Sequence, residues 1–137
     1  MEEKELQEKV LAYRMLEAQL DGLLKQRDLV VNKISEIKTT IETIKDVEDK
    51  TDDILIPIGS EAYKYGKLSD KKTMIVEIGA NVALEKTVDE AKQTLNAREK
   101  ELETALESLQ GDIGRATHVM RRLGPELQLE MDKLRAK

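Results

Sequence analysis

The residues with the best claim to chemistry miss it by their spacing. Between Gly59 and Lys67 the chain has the look of a phosphate loop. But six residues separate Gly59 from Gly66 where four are needed, and Leu68 follows Lys67 in place of Ser or Thr. That spacing does not gather backbone N–H groups around a phosphate, and a strand between two turns fits the segment better. His118 is the single histidine, set between Ala116 and Met120 on the outer side of a helical pattern. Without a cysteine or a second histidine it cannot build a common zinc site. Asp52 and Asp53, with the acidic run before them, lack the spacing and central glycine of a calcium loop. There is no cysteine for thiolate chemistry, and no Ser or Thr stands in a nucleophile elbow. The reading is therefore not an enzyme, with no catalytic residue, no cofactor and no metal site.

What the chain offers is apolar side chains in two patterns. The first is a coiled-coil seam, with apolar residues at alternating steps of three and four. In an arm over residues 2–50 it reads Leu6, Lys9, Tyr13, Leu16, Leu20, Leu23, Arg27, Val30, Ile34, Ile37, Ile41 and Ile44. In an arm over residues 88–136 it reads Val88, Lys92, Leu95, Glu99, Leu102, Leu106, Leu109, Ile113, Ala116, Met120, Leu123, Leu127, Glu130 and Leu134. At about 1.5 Å per residue each arm would extend roughly 70 Å. Thr87 and Glu90 form a capping box at the start of the second arm. Carboxylates from Asp46 to Asp53 oppose the dipole at the end of the first, so fraying is expected there. Arms of equal length on either side of a short insert predict that the second folds back along the first. The acidic start (Glu2, Glu3, Glu5, Glu8) then meets the basic end (Arg121, Arg122, Lys133, Arg135, Lys137).

The second pattern fills residues 51–87. Ile54-Leu55-Ile56-Pro57-Ile58 stops at Gly59; residues 62–68 carry Tyr63 and Tyr65; Ser69-Asp70-Lys71-Lys72 turns; Thr73 to Ile78 stops at Gly79; and Val82 to Lys86 leads to the capped helix. These are four short strands, with Pro57 at an edge because it cannot donate to a ladder. A small patch of sheet that is apolar on more than one face, with open edges, needs a cover that this chain does not supply. Ile54, Ile56, Ile58, Met74, Ile75, Val76, Ile78, Val82 and Leu84 are accordingly read as an oligomerisation surface. The expected fold is one domain, α+β and mainly α: a long antiparallel two-helix coiled coil with a β-hairpin insert at one end.

Three further features bear on the arms. If facing residues sum to roughly 138, as antiparallel pairing of the two seams requires, Gly22 and Arg27 lie level with Gly111, Asp112 and Gly114. Arg27 could then pair with Asp112 in a softened zone, or the glycines could simply lie on the outer face. Gly124-Pro125 removes a helix hydrogen bond, so the ends of both arms are expected to be splayed or loosely paired. Those ends hold more apolar residues than a seam uses. Leu6, Val10, Leu11, Leu127, Leu129, Met131 and Leu134 form a patch of the kind that binds a partner. Composition agrees: 37% charged, 2% aromatic, no Phe or Trp, and a net charge of −5. This is a coiled-coil profile, with no basic stripe for nucleic acid and no apolar run of membrane-spanning length. A cytoplasmic protein is the expectation.

The run Ile54 to Gly59, the strand from Thr73 to Gly79 and the lead-in from Gly79 to Ala91 together resemble an alpha-class subunit of prefoldin of archaeal type. The resemblance covers essentially the whole chain, and an insert long enough for two hairpins is similar to the alpha rather than the beta class. It implies an ATP-independent co-chaperone. Two alpha and four beta subunits would join through their hairpins into a hexamer, the coiled-coil tips would hold unfolded polypeptide, and a group II chaperonin would receive it. A filament-forming, purely structural relative is the competing reading.

Overall fold

The computed structural model describes residues 2–50, 52–69 and 72–136. Asp70 and Lys71 of the expected polar turn, and Lys137 of the basic end, lie outside them. The element order is α1 (Glu3–Glu48), β1 (Ile54–Gly59), β2 (Ala62–Gly66), β3 (Thr73–Gly79), β4 (Val82–Thr87) and α2 (Val88–Arg135). No helix among the described residues is long and apolar enough to cross a membrane. The chain forms two compact units, Met1–Lys33 with Leu102–Lys137, and Ile34–Glu101.

In the first unit, segments of α1 and α2 run antiparallel. Lys9 Nζ lies 2.9 Å from Glu126 Oε1, and a Cβ placed on Gly124 would touch Tyr13, 3.5 Å from its hydroxyl. Leu6, Ala116 and Leu127 are buried. Leu16, Leu20, Leu23, Leu109, Ile113 and Met120 are half-buried, as a narrow seam between two helices requires. Three expectations change here. Pro125 lies inside an unbroken α2: it deprives only the Arg121 carbonyl of a partner. The arm ends are not splayed at that level: Tyr13 lies against Gly124 and Lys9 reaches across to Glu126. The cross-seam pair of Arg27 with Asp112 does not form. Arg27 turns to Asp28 at 3.1 Å and Asp112 accepts from Arg115, since neighbours on one helix supply charge at lower entropic cost. Gly22 and Gly114 look onto open space, and Gly111 meets only the Arg115 side chain, which resolves the glycine cluster as an outer-face feature.

In the second unit Ile34, Ile37, Ile44, Ala91 and Leu95 are buried, and the helix segments are again antiparallel. Lys92 Nζ lies 3.0 Å from Glu48 and Lys38 Nζ 3.8 Å from Glu99. The expected fraying of the acidic end of α1 is not observed before Glu48. Lys45 stands in the last turn and Lys92 binds Glu48, so two cations offset the unfavourable carboxylates. At the start of α2 the Glu90 N–H donates to the Thr87 hydroxyl at 3.2 Å, and the Val88 N–H donates to the Lys72 carbonyl at 3.0 Å. Two of the four free donors of that helix end are thus satisfied.

The insert does not form one four-stranded patch. β1 pairs only with β2 and β3 only with β4, both antiparallel. The two hairpins share one turn design: Gly59 pairs with Ala62 and Gly79 with Val82, each after a bulge. Ser60, Glu61, Ala80 and Asn81 all take positive φ, from 46° to 62°. Positive φ at both central residues matches the right-handed twist of the flanking strands, at a cost of about 1 kcal/mol or more for each residue with a Cβ.

Gly114 weakens α2 without making room for any neighbour in this chain. Gly114→Ala should therefore raise stability by about 1 kcal/mol, read as a higher denaturant midpoint at unchanged slope. A lower midpoint would show that the missing side chain is needed.

Candidate functional site

Two apolar surfaces stand out, one in each unit. In the first, the start of α1 and the end of α2 border a groove of about 450 Å³. Leu6, Val10, Leu11, Met131 and Leu134 supply its apolar lining, and Arg14, Arg135, Glu3 and Gln7 its polar margin. Leu6 and Leu127 are themselves buried. They belong to the seam and act as floor and support, which corrects their reading as surface residues. Val10 is half-buried. Leu11 (60%), Met131 (37%) and Leu134 (52%) are open to solvent. Leu129 is also exposed but does not line the groove. Sequence reasoning missed Arg14 and Arg135, although Arg14 follows Val10 by four residues and so shares its helix face.

The groove's shape depends on the helix pair beneath it, which Lys9 and Glu126 tie together. The hydrogen bond from Lys9 holds the Glu126 carboxyl below its ordinary pKa. The same bond with Glu126 raises that of Lys9.

In the second unit the hairpins differ in how they are covered. Val76 is buried, and Met74 sits with Ile44, Val47, Leu68 and Val88 around a small apolar cavity of about 210 Å³. That face of β3 packs against its own unit, so Val76 is not available to a partner and Met74 only in part. Side chains alternate along a strand, which sends Ile75 to the opposite face, 73% exposed. Arg98 of α2 donates to the Glu77 carbonyl at 2.6 Å and fixes this hairpin. On the first hairpin Leu55 lies opposite Tyr65, and Pro57 opposite Tyr63, a continuous exposed apolar face. Ile54 is half-buried and Ile56 lies across Gly66, where a Cβ would come within 2.5 Å of its Cδ1. Ile56, Ile58, Ile78, Val82 and Leu84 are exposed. Leu55, Tyr63 and Tyr65 add to the exposed apolar residues of the hairpins, and their signal was the two-residue alternation itself.

A family model described as prefoldin subunit matches residues 16–133. The prefoldin subunit alpha of Pyrococcus horikoshii is 34% identical over 113 residues, covering 80% of this chain and 76% of the relative. That of Thermococcus onnurineus is 36% identical over 101 residues, covering 72% and 69%. The chain belongs to the alpha class of the prefoldin family. Its fold is similar to a filamentous PFD from Methanocaldococcus jannaschii solved by cryo-EM, with a TM-score of 0.72, 24% identity, and 84% of this chain and 97% of that one covered. Prefoldin is a chaperone family whose members are subunits of oligomers, and in this prefoldin chain the exposed hairpin faces are surfaces of the kind such assembly uses.

The Lys9–Glu126 tie makes the ends of this prefoldin chain sensitive to pH. A lowered carboxyl pKa stabilises the fold at neutral pH and loses that contribution as pH falls through the folded-state value. A raised lysine pKa stabilises below the ordinary lysine range and loses its contribution as pH rises through the folded-state value. A Glu126→Gln variant, which removes the charge and keeps the side-chain size, should accordingly melt slightly below the wild type at pH 7 and converge with it in acid beneath the glutamate range. A gap that persists unchanged in acid would show that the pair does not tie the ends.

Proposed function

We propose that this chain is a subunit of an ATP-independent co-chaperone that holds unfolded polypeptide in its tip groove and passes it to a group II chaperonin in the cytoplasm. The carrying observation is the open groove at the ends of α1 and α2. Apolar side chains there stay in water, at a cost that no contact within the chain offsets. Leu11, Met131 and Leu134 in the groove and exposed Leu129 outside it would touch client, with Leu6 and Val10 shaping the floor and buried Leu127 supporting the helix pair. Unbranched Met131 adapts to varied apolar segments, and a margin of both charge signs, Arg14 and Arg135 with Glu3, borders them.

The hairpins would join this chain to beta-class subunits, two alpha with four beta. Each two-stranded hairpin has open edges and is marginal alone, so a strand from a neighbour would complete the ladder and cover Leu55, Ile58, Tyr65 and Ile75. A second reading, an open-ended structural filament without clients, draws support from the similarity of fold to the filamentous PFD of M. jannaschii.

Replacing Leu11, Leu129, Met131 and Leu134 together by Ser should abolish suppression of client aggregation while leaving the oligomer intact by native mass spectrometry. Retained suppression would refute the tip assignment. Replacing Leu55, Tyr65 and Ile75 by Lys should instead prevent assembly with a beta-class partner, leaving a folded single chain by circular dichroism. Wild-type chain that forms a closed hexamer only with that partner supports the first reading, and polymers of this chain alone support the second.

A further inference from the structure

The outer edges of the two hairpins are not equally open to another chain, and the register decides which are. In an antiparallel pair, opposed residues alternate in kind. Some exchange both N–H···O bonds; the others direct their N–H and C=O groups away from the partner strand. Pro57 lies opposite Tyr63 and has no N–H, so this pair cannot be of the exchanging kind. By alternation Leu55 with Tyr65 is also an outward pair, while Ile56 with Lys64 and Ile54 with Gly66 carry the ladder. On the second hairpin the Val88 N–H donates to the Lys72 carbonyl at 3.0 Å. That bond occupies an exchanging position next to the pair of Thr73 with Thr87. Ile75 and Glu77 of β3 and Ala83 and Glu85 of β4 are then outward. The bond from Arg98 to the Glu77 carbonyl agrees, because only an outward carbonyl is within reach of a side chain.

The edges of the first strands are obstructed. On β1, Leu55 offers an N–H and a C=O, but Pro57 offers a C=O only. Its ring carbon stands where the hydrogen would be, against an incoming carbonyl. On β3, Arg98 already occupies the Glu77 carbonyl at 2.6 Å. The second strands meet neither obstacle. Among the described residues no other strand lies beside β2 or β4. Tyr63, Tyr65, Ala83 and Glu85 are exposed, and each has both an N–H and a C=O to offer. Such an edge is a template for a further strand. We infer that each hairpin takes a strand of the partner subunit on one edge only, that of its second strand: β2 through Tyr63 and Tyr65, β4 through Ala83 and Glu85. This rests on the reading of the hairpins as the assembly surface and assigns the side of each that forms the bonds.

Charge on β2 favours a different chain over a second copy of this one. An antiparallel second β2 that uses the groups of both tyrosines must set Tyr63 opposite Tyr65. The two Lys64 residues then lie directly opposite each other, and like charges so placed destabilise a strand pair. Lys64 is the one charged residue of β2, and Lys67 follows close behind it. A partner strand with a carboxylate opposite Lys64 meets the same edge without that repulsion.

Amide hydrogen exchange reads the edges one residue at a time. The full-length chain, isotope-labelled, would be compared before and after assembly with an unlabelled beta-class subunit. The amides of Tyr63, Tyr65, Ala83 and Glu85 should exchange freely in the chain alone. On assembly they should slow to the rates of Ile54 and Ile56, whose N–H groups belong to the ladder, and Leu55 and Ile75 should gain no such protection. Leu55→Pro and Tyr65→Pro each remove one outward N–H, on opposite edges of one pair. By native mass spectrometry the first should assemble as the wild type does and the second should not, while Tyr65→Val, which keeps the N–H, should. Equal protection of Leu55 or Ile75, assembly that survives Tyr65→Pro, or assembly lost in Tyr65→Val or Leu55→Pro overturns the edge assignment and leaves the hairpins as the assembly surface. Protection of Tyr63 and Tyr65 in the chain alone at high concentration gives the edge to a second copy and overturns the choice of partner. A wild-type chain that does not assemble with the beta-class subunit at all overturns the underlying reading and this inference with it.

Discussion

A seam between two helices buries one stripe of each and leaves the rest of both surfaces in water. That constraint governs this chain, because each of its units has only a pair of helix segments and, in one case, hairpins too small to form a second layer. Among the described residues the nine buried apolar ones, from Leu6 to Leu127, lie in the seam or where β3 meets the helix ends. Every other large apolar side chain is at least partly exposed, and whatever stabilises it further must come from another molecule. The groove at the tips and the hairpin faces are two consequences of the same shortage of cover.

Shortage of cover also explains why the two hairpins differ. The β3–β4 hairpin gives up one face to its own unit through Met74 and Val76 and is fixed by Arg98. The β1–β2 hairpin has no buried residue. The tyrosines opposite Leu55 and Pro57 place large, amphipathic rings on a surface that is apolar at its centre and wet at its margin, where such rings serve interfaces well. The first hairpin is thus the more dependent on a neighbour, although the turns of the two are built alike.

Most of this architecture could be read from spacing. The seam residues named from the heptads are buried or half-buried with the exception of Leu134, and the four strands begin where expected, although β2 stops at Gly66 instead of running to Leu68. Features that depend on which neighbour wins were harder to read. Gly124-Pro125 suggested a break, but a helix tolerates one missing hydrogen bond when packing across the seam, here Tyr13 against Gly124, holds the turn in place. Arg27 and Asp112 were level, yet each found a nearer partner on its own helix. Four strands in a row did not reveal that they would pair in twos, because strand alternation records which residues share a face and not which strand lies beside which.

The polar interruptions of the seam resolve a problem that the apolar residues leave open. A repeat of leucines and isoleucines at steps of three and four looks much the same after a slip of one heptad, so apolar burial alone discriminates weakly between registers. Lys9, Lys92 and Glu99 break the pattern, and each meets an opposite charge on the other helix, Glu126, Glu48 and Lys38. None of these pairs is deeply buried, and such pairs contribute about 1 kcal/mol or less each. Their effect lies in the alternatives. A slipped register would set a half-buried charge against leucine or against a like charge, and would forfeit the pairs in both units. The same residues that make each unit less apolar than it could be therefore select which residues of α1 and α2 meet, and with them the alignment that lets Leu11 and Met131 border one groove.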